Sequence, residues 1–170
     1  MIDIENCHIT HYPAGVLGRR AEPVDQIDDN IRQLVDKMTD IMLKNKGVGL
    51  AAPQAGVSLR LFIISIDGTR EKVKAYVNPT IIPVGELEGI DEGCLSVPGI
   101  YTKIRRYKQC EVTATDLDGN EFTDQAEGLY ARALQHEYDH IEGITIVNRM
   151  AQTARIIHRK QLKKLEDHHE

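Results

Sequence analysis

The chain contains no tryptophan, two phenylalanines and three cysteines among its 170 residues. Long apolar runs are missing too; stretches such as "LFII" at 61–64 are typical. A membrane-spanning helix needs roughly 20 consecutive apolar residues, so no membrane partner is expected. There is no excess of basic residues, and a net charge of -5 argues against a general nucleic-acid binder and any specific DNA partner. The opening "MIDIENCHIT" has no basic start and no arginine, which predicts neither a signal peptide nor a transit peptide. An odd cysteine count in that context points to a reducing compartment and to free or metal-bound thiols, not a disulfide framework.

What is present is a globular composition. With 41% hydrophobic and 28% charged residues the chain can bury one core. No repeat, low-complexity segment or long linker divides it, so residues 1–170 are read as a single domain. Ile31, Leu34, Val35, Met38, Ile41 and Met42 form one apolar stripe of an N-terminal helix. Asp28 or Asp29 is the expected cap, and Gly47 the expected left-handed stop. "SLRLFIIS" and "KAYVNP" read as strands flanking a hairpin turn at "DGTRE". "CEVTATDLDGNEFTD" alternates around Asp118–Gly119, a second hairpin. Further helices are predicted near 127–141 and 151–166. Strands followed by helices without βαβ alternation predict α+β: largely antiparallel sheets packed around a central metal-binding helix, with an N-terminal and a C-terminal helix.

The sharpest pattern is His136-Glu137-x-x-His140. A helix stacks residues i and i+4, so both imidazoles can aim at one point. Glu137 lies about 100° further round, beside a metal held there. A metal, two imidazoles and an adjacent base can make hydroxide near neutral pH. Leu129, Ala133, His136 and His140 share one face, while Ala131, Leu134, Tyr138 and Ile141 share another. A helix apolar on two sides runs through a core, and buried histidines need partners.

The third ligand is open on the pattern alone. The metzincin extension requires His where Ile146 stands, which excludes that class. A thermolysin-like reading needs a downstream Glu, and Glu166 in the charged tail is the candidate. Upstream, "DEGCLSVPG" places Cys94 between Gly93 and a turn-forming Pro98–Gly99. Cys7 lies in a polar N-terminus and Cys110 reads as an inward strand position. A Cys-His-His metal with an open fourth position would be catalytic in type. The alternative for Cys94 is a small buried hydrophobe. A third stretch, "GVGLAAPQ" at 47–54, leaves the backbone bare for close approach and ends in the neutral amide of Gln54.

Together the three stretches resemble the signature motifs of the peptide deformylases. Gly47–Gln54 matches Gly-φ-Gly-φ-Ala-Ala-x-Gln, and Glu92–Ser96 matches Glu-Gly-Cys-φ-Ser. Gln135–Gly143 matches Gln-His-Glu-φ-Asp-His-Leu-x-Gly except that Ile141 replaces Leu. The resemblance implies hydrolytic removal of the formyl group from N-formyl-methionyl nascent peptides in the bacterial cytoplasm. It implies one divalent metal on Cys94, His136 and His140: Fe(II) in the cell, with Zn, Ni or Co able to replace it. It makes Glu137 the general acid/base, and Gln54 with the Leu95 N–H the oxyanion hole. Val48, Gly49, Gly93, Leu129 and Ala133 are the expected substrate-binding residues, with Arg132 at the pocket rim. Arg155, Arg159, Lys160, Lys163 and Lys164 form a basic helix that reads either as a solvated face or, as in some family members, as a docking surface for the ribosome. A zinc endopeptidase and a non-catalytic metal-stapled relative are the competing readings.

Overall fold

The computed structural model describes residues 2–169. Helix α1, Asp29–Lys44, starts where the Asp28 carboxylate accepts the Ile31 N–H at 3.1 Å, one of the orphan donors every helix start must satisfy. The six stripe positions named above are all buried. The stop differs from expectation. Lys46, not Gly47, carries the positive φ of 56°, and Gly47 N–H donates back to Met42 O at 2.9 Å. Gly47 is bare for another reason: a Cβ there would lie 3.0 Å from Leu95 Cδ1.

Five strands form one antiparallel sheet in sequential order: β1 Gly49–Ala51, β2 Leu61–Ile64, β3 Lys74–Cys94, β4 Val97–Thr115 and β5 Glu121–Glu127. Helix α2, Gly128–Ile141, follows. The strand β2 is buried at every position. Successive side chains point to opposite faces, and both faces are covered. Leu61 and Ile63 join the cluster built on α1, while Phe62 and Ile64 join the cluster built on α2. That explains a continuous apolar run where a one-sided strand would alternate. Cys7 is buried in the first cluster despite its polar surroundings in sequence, and Cys110 points inward in the second.

Three elements depart from the sequence reading. β2 and β3 do pair, but residues 65–73 connect them with a 3-10 turn at Arg70–Lys72, so "DGTRE" is part of a longer loop. The segment around Cys94 is a hairpin and not a loop. β3 and β4 pair from Val77↔Thr115 to Cys94↔Val97, with irregularities at three places. The turn is Leu95–Ser96, and Pro98–Gly99 lies inside β4. Residues 82–91 expose both faces, so no burial period marks them as strand. The helix predicted near 151–166 is two, α4 Gln152–Ile157 and α5 Arg159–Asp167, and a short helix the sequence reading did not include, α3 Ile146–Arg149, precedes them. His158, at ψ 7°, breaks the run between α4 and α5. These helices close a third cluster in which Ile146, Val147, Met150 and Leu162 meet Val97, Ile100 and Ile104 of β4. No helix among the described residues is long and apolar enough to cross a membrane.

Leu34 is fully buried under the sheet, whereas Asp28 only caps the helix. Leu34→Ala is expected to cost about 2–5 kcal/mol, and Asp28→Ala about 0.5–2 kcal/mol. Urea unfolding of both variants measures the ranking; equal losses would mean that α1 does not pack as described.

Candidate active site

Helix α2 has almost no solvent face: Ala131–Leu134, His136, Glu137 and Asp139–Ile141 are buried. Its histidines therefore point into protein. His136 Nε2 and His140 Nε2 are 3.2 Å apart, and Cys94 Sγ lies 3.4 Å from His140 Nε2. Among the described residues this is the one group of three or more metal-ligating side chains whose donor atoms converge, all within 4.8 Å of one another. Cys94 arrives from the end of β3, one residue before the hairpin turn, so the strand's register with β4 fixes where the thiol stands. Glu166, the rival third ligand, is elsewhere; it accepts a hydrogen bond from Tyr12 OH at 3.1 Å.

The donor set fits a transition metal. One thiol and two imidazoles form a borderline-soft set that hard cations such as Mg2+ do not select. His136 already presents Nε2 inward, because its Nδ1 meets Glu92 Oε1 at 2.5 Å. Burial lowers the His140 pKa well below the ordinary histidine value, with the charge of His136 adding to it, which favours the neutral form a metal requires. Two hollows of about 310 and 380 Å3 lie away from this cluster. Neither gathers such donors, so the chemistry and not the size of a hollow marks the site.

Two further side chains face the cluster. Glu137 is buried, its Oε2 has no hydrogen-bond partner, and burial pushes its pKa up to about 7. A buried acid with a free oxygen beside such a set of donors is placed where it could take up and release a proton. Gln54 comes from the 3-10 turn Ala52–Ala55. Its Oε1 accepts the Ala51 N–H at 3.0 Å, so its amide nitrogen must be the end that faces Cys94 Sγ at 3.5 Å and Ser96 Oγ at 3.2 Å. Leu95 follows Cys94 in the chain, which puts its N–H beside the thiol by covalent connection.

The remaining expected residues are placed as follows. Gly49 packs against the carboxylate: a Cβ would lie 2.7 Å from Glu137 Oε1. The backbone must be bare there for Glu137 to reach the cluster. Ala133 is buried, while Val48 and Leu129 are exposed. Gly93 lies at the irregularity between Glu92 and Cys94, where a Cβ would meet the Tyr101 ring at 2.6 Å. Arg132 is not at a rim. It is buried, and its guanidinium donates to Glu92 Oε2 at 3.0 Å, Ile104 O at 3.0 Å and Glu88 O at 2.8 Å.

Sequence reasoning missed the support behind the cluster. Arg106 donates to both oxygens of Glu92 and to Asp139 Oδ2 at 2.9 Å; Asp139 in turn accepts from Arg149. Burial would raise the Glu92 pKa, but hydrogen bonds to His136 and Arg106 outweigh it and hold the carboxyl well below the ordinary range. Glu92 stood in the second motif without a role. Arg106 and Arg149 carry no local signal, because their partners are distant in sequence.

Comparison with known proteins agrees with this geometry. The polypeptide deformylase family model matches residues 6–155, which span Gln54, Cys94, His136 and His140. A peptide deformylase from Chromobacterium violaceum is 39% identical over 94% of this chain and 95% of its own length. Peptide deformylase 1 of Clostridium perfringens is 41% identical over 78% of this chain and 90% of its own. A crystal structure of a peptide deformylase from Legionella pneumophila superposes with a TM-score of 0.89 at 39% identity, covering 95% of each chain. Arabidopsis thaliana peptide deformylase 1B superposes with a TM-score of 0.90 at 37% identity, covering 94% of this chain and 90% of that one. A metal-ligating cluster on a buried helix, a strand-end cysteine and matches along nearly the whole chain lead to one conclusion: this chain belongs to the polypeptide deformylase family.

Proposed function

We propose that this chain, as a single catalytic domain, removes the formyl group from N-formyl-methionyl nascent peptides and releases formate. The observation that carries the reading is the convergence of Cys94 Sγ, His136 Nε2 and His140 Nε2 within 4.8 Å, with Glu137 alongside. The three residues would hold one divalent metal: Fe(II) in the cell, with Zn, Ni or Co as replacements. When bound, the metal supplies Lewis acidity that makes water a nucleophile near neutral pH and polarises the formyl oxygen.

Water adds to the formyl carbon, the C–N bond breaks, and the methionine amine leaves with one more proton. Glu137 takes the proton from the attacking water and hands it to the departing nitrogen. Its pKa near 7 suits both halves of that exchange. The Gln54 amide and the Leu95 N–H donate to the oxyanion that develops between the two steps, where one donor is typically worth about 2.7–4 kcal/mol. The edge strand β1 pairs with β2 on one side only, so its other side can take up a substrate backbone as an added strand. Gly49 and Gly93 keep the approach low, while Val48, Leu129 and Ala133 offer apolar surface to the methionine side chain. An endopeptidase would have no use for the Cys94 ligand, and a structural metal staple would have none for Glu137 and Gln54.

The setting we propose is the bacterial cytoplasm. Arg159, Lys160, Lys163 and Lys164 are exposed on α5 and offer a basic face to ribosomal RNA. Arg155 is less available, since it donates twice to Val147 O.

Cys94→Ala is expected to lose the metal, measured as metal per chain after purification; full retention would remove the assignment. Glu137→Ala should keep its metal while kcat falls by on the order of 10²–10⁴, and joint loss of metal and activity would make Glu137 structural. Substrate size gives a second test. A formyl carbon bears only hydrogen, and an acetyl methyl must be fitted beside Gly49 and the ligands. Overpacking costs typically about 1–3 kcal/mol, so kcat/KM for formyl-Met-Ala-Ser should exceed that for acetyl-Met-Ala-Ser by about 5–150-fold. Formyl-Asp-Ala-Ser should also be poor, because the apolar walls give a buried charge no partner. Comparable values for the three peptides would refute the pocket. For the ribosome, removal of residues 159–170 should reduce co-sedimentation in low salt; unchanged co-sedimentation sinks that partner.

A further inference from the structure

The two oxyanion donors come from segments that share no secondary structure. Gln54 is on the 3-10 turn Ala52–Ala55, and Leu95 is in the turn between β3 and β4. Donors aimed at one developing charge must each stand about 2.7–3.1 Å from the same point. Their spacing therefore has to be held to within about 0.5 Å. The sheet does not do this directly, because residues 52–55 and 95–96 lie outside every strand.

What joins them is the segment Thr10–Tyr12, which belongs to no helix or strand. The Thr10 N–H donates to Gln54 O at 2.7 Å, and the Tyr12 N–H donates to Ser96 O at 2.8 Å. Two residues of chain span at most about 7 Å, so the two acceptors are kept as close neighbours. Side chains tie the same pair a second time: Gln54 Nε2 donates to Ser96 Oγ at 3.2 Å. Gln54, Ser96, Tyr12, His11 and Thr10 thus close a ring of covalent and hydrogen bonds. Burial agrees. Chain connections normally lie at the surface, yet Gln54 and Ser96 are both fully buried. Buried carbonyls need donors, and Thr10 and Tyr12 supply them. The segment is anchored in turn. The Tyr12 side chain packs in the cluster of Val97, Ile100 and Leu162, and its hydroxyl donates to Glu166 Oε1 at 3.1 Å.

We infer that Thr10 and Tyr12 are positioning residues: their backbone N–H groups strap the Gln54 turn to the Leu95–Ser96 turn and so set the spacing of the two oxyanion donors. Neither residue supplies a metal ligand or a wall of the methionine pocket. Cys94, His136 and His140 are carried by β3 and α2, so a loosened strap leaves them in place. It weakens an interaction made only in the transition state, and such a loss lowers kcat and kcat/KM together while KM stays.

The inference rests on the oxyanion hole proposed above, and the test separates the two. Thr10→Pro removes one strap N–H; Thr10→Ala keeps it and serves as the comparison. Formate release from formyl-Met-Ala-Ser, metal per chain and circular dichroism are measured for the unsubstituted protein and both variants. Thr10→Pro is expected to show a kcat about 10–100-fold below that of Thr10→Ala, with KM and metal content equal in the two. Equal kcat in two folded variants overturns the strap and leaves the proposed function standing. Loss of metal along with activity, or a rise in KM alone, also overturns it, since Thr10 would then serve the fold or the groove. If the unsubstituted metal-loaded chain releases no formate, both readings fall. Should Thr10→Pro fail to fold, amide hydrogen exchange of the unsubstituted protein decides. The N–H groups of Thr10 and Tyr12 are expected to exchange more slowly than that of the exposed His11 between them; equal rates overturn the strap.

Discussion

One buried carboxylate ties the molecule together. Glu92 is anchored in β3, its two arginines come from β4 and α2, and the histidine it holds is on α2. Taking such charges out of water is expensive, and a buried ion pair rarely gains enough to stabilise a fold over an apolar equivalent. What it does well is to penalise every other arrangement. Were α2 to slide by a turn, Arg132 would lose Glu92 and Arg106 would lose Asp139, and only the Arg106–Glu92 pair inside the hairpin would remain. The network therefore sets the position of α2 against the β3–β4 hairpin, and with it the distance from Cys94 on one element to His136 and His140 on the other.

The legibility of the site follows from the range of its interactions. His136, Glu137 and His140 are near neighbours on one helix, so periodicity alone shows that they face together. The stripe of α1 is legible for the same reason. Cys94 needs the hairpin register to reach them, and nothing in "DEGCLSVPG" states that register; the motif resemblance placed it. Arg106, Asp139 and Arg149 were out of reach because a lone arginine in sequence looks like a solvated one. Arg132 shows the limit most plainly: its helix position was read correctly, but its length let it turn from the rim to the interior. The β3–β4 hairpin was missed between residues 82 and 91 because both of its faces meet solvent. Backbone hydrogen bonding holds that segment, and backbone bonds leave no mark on side-chain pattern.

The glycines of the first motif divide their labour. Gly47 makes room for Leu95 and Gly49 makes room for Glu137. Both are steric demands of the active site, and neither uses the left-handed backbone for which glycine is usually chosen; Lys46 takes that conformation instead. The motif thus records how closely two segments approach, the turn Leu95–Ser96 on one side and α2 on the other. A β-carbon at Gly47 would make the end of the Leu95 side chain give by a few tenths of an ångström, and one at Gly49 would displace the Glu137 carboxylate.

The edge strand β1 is only three residues long. At about 3.4 Å per residue it offers a ledge of roughly 10 Å, enough to grip the first few residues of a chain and no more. On the proposed function, whatever follows in the substrate would lie beyond that ledge and go unread. On the proposed function this brevity is what makes the enzyme a generalist: proteins with nothing else in common begin with the same short handle. A longer ledge would have sampled sequence that differs from one newborn protein to the next, and would have turned a universal trimming step into a selective one.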